Sequence, residues 1–122
     1  MAAPGAGEIT DLVAAPDGMV FGIAAGPSDR KLFVFDPTIR RVTHVDRLPF
    51  SGIIYNAASI GPGGLIYGLC AEGIFTIDPA TREARILARS PGPITAGFAL
   101  DGRDLYFASG AAIYRYRITV TP

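Results

Sequence analysis

The segment Pro16-Asp17-Gly18-Met19-Val20-Phe21-Gly22 returns as Pro62-Gly63-Gly64-Leu65-Ile66-Tyr67-Gly68. It returns again, with one extra residue after its glycine, as Asp101-Gly102-Arg103-Asp104-Leu105-Tyr106-Phe107. Downstream of each copy lies an aromatic segment: Leu32-Phe33-Val34-Phe35, Ile74-Phe75-Thr76-Ile77 and Ile113-Tyr114-Arg115-Tyr116. The first two run straight into Asp36-Pro37-Thr38 and Asp78-Pro79-Ala80-Thr81-Arg82. Three landmarks recurring in one order define a repeat. A repeat confines the chain to a stack or ring of like units, each covering apolar surface that its neighbour cannot bury alone.

Each unit reads as four strands. With 15 glycines and 10 prolines in 122 residues, turn residues come too often for long helices, and no window of about twelve residues keeps a 3.6 period without one of them. The first strand is small and apolar, at Ile9–Ala15, Tyr55–Ile60 and Ile94–Ala99. An Asp-Gly or Gly-Gly turn, tolerant of positive φ, reverses the chain into the second, at Met19–Ala24, Leu65–Ala71 and Leu105–Ala108. The aromatic segment is the third. Asp-Pro then starts a turn, because Asp bonds the backbone ahead of it and Pro presets φ. A fourth strand follows at Arg41–Asp46 and Ala84–Ala88. The last copy, Ile113–Val120, is followed only by Thr121-Pro122, so the third unit stops at its third strand.

Both faces of these strands are apolar: Phe33 and Phe35 point one way, Leu32 and Val34 the other. A two-sheet sandwich would leave alternate residues polar. Four-stranded units of about 40–46 residues with two apolar faces are the sequence form of β-propeller blades. The expected fold is therefore all-β, with a flexible tail over residues 1–8 and a partial propeller over 9–122, its blades at 9–50, 51–92 and 93–122. The run Asp-Gly-x-φ-φ-Gly followed by φ-Phe-x-φ-Asp-Pro-x-Thr, φ being an apolar residue, resembles the propeller group that includes NHL-type, streptogramin-lyase-like and quinoprotein-like repeats. That resemblance covers Ile9 to Ile118 and implies the fold. It brings no catalytic set with it. The Gly-His and Trp-Asp signature of WD repeats is missing, and the chain has no Trp.

Propellers close with four to eight blades, and about 2.75 blades per chain fall short of that. An arc leaves an apolar face open at each end, which drives association. The expected partners are a second copy, giving a six-bladed homodimer, or the remainder of a longer propeller. Composition removes other classes. Eleven basic and eleven acidic residues cancel, so the positive excess of a nucleic-acid binder or polybasic membrane adsorber is absent. A 49% hydrophobic chain with a mean hydropathy of +0.33 is not a disordered one. No apolar run approaches the roughly 18 residues of a membrane span, and the start lacks the features of a signal peptide, so a cytoplasmic location is expected.

Candidate chemistry is sparse. His44 is the single histidine; it aligns with Ile86, shares a strand face with Val42, and reads as a half-buried structural residue. Cys70, the single cysteine, aligns with Ala24 and reads as a small buried side chain. Neither a disulfide framework nor a multi-cysteine or multi-histidine metal site is available within one chain. Asp17, Asp36, Asp78 and Asp101 sit at turns and read as turn initiators. Gly61-Pro62-Gly63-Gly64 lacks the lysine and helix start of a phosphate loop. Arg40 and Arg82 follow the Asp-Pro turns and read as solvated hairpin charges, while Arg115 and Arg117 interrupt the third aromatic strand and mark either a seam between copies or an exposed edge. A ligand site, if one exists, is expected at the axial channel, whose rim takes Asp11, Tyr55, Asn56 and Thr95 at the starts of the first strands. No catalytic residue, metal site or cofactor is assigned. The leading expectation is a binding or scaffold module that self-assembles into a ring. The alternative is a lyase- or lactonase-like propeller enzyme, with Asp11 and Asn56, doubled by symmetry, as oxygen ligands for a divalent cation.

Overall fold

The computed structural model describes residues 8–25, 30–49 and 58–119. Among them the chain forms eleven strands and one 3₁₀ turn, Pro62–Gly64, with no α-helix. The first sheet runs β1 (Glu8–Ala14), β2 (Val20–Ala25), β3 (Arg30–Asp36), β4 (Arg41–Arg47), in spatial order β1-β2-β3-β4. The second repeats this with β5 (Ala58–Ile60), β6 (Ile66–Cys70), β7 (Gly73–Ile77) and β8 (Ala84–Arg89). The third has β9 (Ala96–Asp101), β10 (Asp104–Ser109) and β11 (Ala112–Arg117) in order β11-β10-β9. Every neighbouring pair is antiparallel. The strands expected from the repeat are present with small shifts at their ends. In the first copy pairing begins at Glu8, inside the expected tail; the rest of that tail lies outside the described residues. In the third copy the first strand starts at Ala96 instead of Ile94, just beyond Pro93, which has no N–H to give to a ladder.

Turn chemistry is shared between sheets. The Asp36 carboxylate accepts from Thr38 N and the Asp78 carboxylate from Ala80 N, each at 2.9 Å. Both turns then place an arginine in the left-handed region, Arg40 at φ 56° and Arg82 at φ 62°. The Asp17 carboxylate does the same work in the β1–β2 turn, accepting from Met19 N at 2.9 Å.

One cross-strand pair organises each sheet. Gly22 lies opposite Phe33 and Gly68 opposite Phe75. At Gly22 a Cβ would overlap the far end of the Phe33 ring, so the ring occupies the space that a side chain there would need. In the third sheet the same pair is Phe107 opposite Tyr114, and the two rings stack with centroids 5.6 Å apart and planes at 22°. Stacking replaces coverage of a glycine.

The three sheets pack in sequence order. Phe21, Ile23, Leu32 and Val34 of the first share one core with Ile66, Cys70, Phe75 and Ile77 of the second. Tyr67, Leu69 and Ile74, on the opposite face of the second, share another with Leu105 and Phe107 of the third, together with Ile94 and Ile118. Every residue of β6 and β7 is buried. The expected double-sided apolarity is thus realised in the middle sheet. β1 lies against β5, so the first strands of adjacent sheets converge.

One expectation about the outer strands is corrected. β3 and β4 skip Thr43, which puts His44 opposite Val34 and Val45 opposite Phe33. β7 and β8 skip Leu87, so Ile86 lies opposite Phe75. The bulges fall at different repeat positions, and His44 and Ile86 do not occupy equivalent places despite their alignment. His44 is exposed, not half-buried.

Candidate functional site

Of the expected channel-rim residues, Tyr55 and Asn56 lie outside the described residues. Asp11 is buried on the converging strand β1, opposite Ile23, just after a bulge at Thr10. The Thr10 hydroxyl donates to Asp11 Oδ2 at 3.1 Å. Thr95 is exposed immediately before β9. Its N–H donates to Ala108 O at 2.9 Å and its hydroxyl accepts from Gly110 N at 3.0 Å, both within its own sheet. Thr95 fastens the β10–β11 hairpin. No group of three or more His, Cys, Asp and Glu that could hold a metal occurs among the described residues.

The single cysteine and the single histidine are placed differently. Burial pushes the Cys70 thiol above its ordinary value, against smaller opposing effects of backbone hydrogen bonds at Glu72 and Gly73, so it stays protonated. His44 Nδ1 lies 3.1 Å from the Thr43 hydroxyl. A cleft of about 220 Å³ beside it is floored by Phe21 and Val34 and walled by Pro79 and Arg82.

Arg82 departs from its expected role. Its Nε donates to Asp46 Oδ2 at 3.3 Å, joining the β7–β8 turn to the outer strand of the preceding sheet. It is therefore an intersheet link. A second cleft, of about 320 Å³, opens on the other side of this pair between Leu48, Pro49 and Thr81. Arg40, in the same left-handed turn position one repeat earlier, is exposed on the side where the first sheet has no neighbouring sheet among the described residues.

The first and third sheets each turn one face away from the second. On the first sheet, strand pairing places Leu12, Val20, Phe33, Phe35, Val42 and Val45 on the face turned away from the second. Leu12 is 62% exposed there. On the third sheet the outward face carries Ala99, Tyr106, Ala108, Ile113 and Arg115. A shallow depression of about 250 Å³ runs along it. Leu32, Ile74 and Ile113 hold one repeat position. The first two are 1% and 2% exposed against the next sheet, whereas Ile113, with no next sheet among the described residues, is 78% exposed. Alignment of the repeats makes that contrast predictable; the intersheet pairing of Arg82 needed the packed arrangement. No family model matches the chain, and no curated protein shows significant similarity to it.

Proposed function

We infer that the chain is an arc of β-propeller blades whose two outward faces close on a second copy to form a six-bladed ring, and that the ring serves as a binding or scaffold module. One observation carries this reading: a position buried at both internal sheet contacts, by Leu32 and Ile74, stands almost fully open at Ile113. The opposite end matches it with Leu12, 62% exposed, and Val45, 41% exposed. A two-fold axis brings the first sheet of each copy against the third sheet of the other, so both apolar ends are covered twice over by one geometry. Covering such faces removes well over 1,000 Å² from water, the size of a stable interface. The convergence of β1 on β5 supports an inner channel wall made of first strands, with the buried Asp11 among its residues.

The test is the mass in solution. Light scattering at micromolar concentration is expected to give twice the 12.8 kDa of one chain. A well-folded species of single-chain mass across that range rules out the closed ring.

A further inference from the structure

The third sheet differs from the others in more than its strand count. Where β3 ends on Asp36 and β7 runs into Asp78, and the chain turns back, β11 has Arg117. Arg117 remains in the strand opposite Asp104, with Nη1 3.4 Å from Asp104 Oδ1. The next residue, Ile118, is buried and donates its N–H to Arg103 O at 2.7 Å. As far as Ile118 the backbone therefore continues alongside β10 instead of turning back as it does after Asp36 and Asp78. The outer edge of β11 carries no strand among the described residues.

Side-chain exposure shows what this edge lacks. Tyr114 holds the position of Phe33 and Phe75. Phe33 is 5% exposed although its face of the first sheet has no neighbouring sheet among the described residues; Tyr114 faces the second sheet and is still 37% exposed. Absence of a neighbouring sheet does not explain that contrast. Phe33 has Val45 of β4 beside it, and Phe75 has Ile86 of β8; Tyr114 has no such strand neighbour on its outer side among the described residues.

We propose that the outer edge of β11, which carries no strand among the described residues, accepts an extended, acidic segment of a partner protein as a fourth antiparallel strand. Strand addition to an open sheet edge uses main-chain hydrogen bonds for affinity and alternate side chains for selectivity. The two complete sheets supply the template. Val45 and Val42 lie opposite Phe33 and Phe35, and Ile86 and Ala84 lie opposite Phe75 and Ile77. Opposite Tyr114 and Tyr116, the incoming strand takes apolar residues by the same rule. Opposite Arg115 it takes a carboxylate, because Arg115 is exposed with no ion-pair partner among the described residues. Two copies of β11 do not suit each other, since Arg115 and Arg117 of both would meet along one seam, and like charges across a strand pair oppose pairing.

The experiment uses the full chain and two synthetic heptapeptides, one alternating Val and Glu, the other alternating Val and Lys. Binding is followed by peptide fluorescence anisotropy, and pairing by protection of the alternate amides of residues 112–117 that do not bond β10. The Glu peptide is expected to protect those amides and to bind about tenfold or more tighter than the Lys peptide. Arg115→Glu, an exposed change, is expected to reverse that order. Equal binding of the two peptides, binding without protection of β11, or an unchanged preference in Arg115→Glu overturns the proposal. It does not rest on ring closure: the edge lies at the sheet periphery, and light scattering on the peptide-free samples reads the ring separately.

Discussion

At Gly22 the space for a methyl group is already filled by the Phe33 ring. Gly22→Ala is expected to cost about 1–3 kcal/mol through overpacking, read as a lower urea midpoint with an unchanged slope. Phe75→Ala removes the fully buried counterpart ring from the middle sheet and is expected to cost about 3–5 kcal/mol. A melting temperature within about 2 °C of the parent would overturn that placement. His44→Val, at an exposed site, is expected to stay within about 0.5 kcal/mol. Cys70 gives a pH signature. Burial holds its folded-state pKa above that of the unfolded chain, so its contribution is whole below the ordinary thiol range and is lost as pH rises from there through the raised folded-state value. Tyr67 is shifted the same way, again mainly by burial, and extends the loss further into alkali. Cys70→Ala, which copies the first repeat's Ala24, is expected to flatten the first part of that alkaline decline in urea midpoints taken at stepped pH.

At the scale of strands and turns, the Arg82–Asp46 link is half exposed, and Arg82→Ala is expected to cost less than about 1 kcal/mol, with the difference shrinking as salt is added. A larger, salt-insensitive loss would mean that Arg82 acts by packing. Strand positions were legible because the residues that make them are local: Asp36 and Asp78 bond their own turns, and the alternation of Leu32-Phe33-Val34-Phe35 assigns both faces. The bulges were not legible. Thr43 and Leu87 share no chemistry that marks them as skipped residues, and a one-residue difference moved His44 away from the place of Ile86. The pairing of Arg82 was hidden for another reason. It depends on how far one sheet is offset from the next, which no single strand encodes. Of the four rim candidates, Thr95 belongs to its own hairpin, Asp11 is buried beside Thr10, and Tyr55 and Asn56 fall outside the described residues.

For the molecule as a whole, the proposed ring makes an asymmetric demand on its ends. Leu12→Asp damages only the first-sheet face and Ile113→Asp only the third-sheet face. Each variant alone is expected to fall to single-chain mass, because every seam in a homodimer then contains one damaged face. Mixed together, the two regain one seam with both faces intact, and association is expected to return in part. Equal failure of the mixture would overturn a head-to-tail seam. The burial of β6 and β7 at every position has a further consequence for how the fold comes apart. A stack whose units contact only their neighbours opens from its ends. Amide exchange is therefore expected to divide the chain into three cooperative units, with the slowest amides in 66–70 and 73–77 and faster opening in the flanking sheets. Raising protein concentration should slow exchange in the flanking sheets if a second copy covers them, turning the middle sheet from the most protected part of the chain into one of three near-equals.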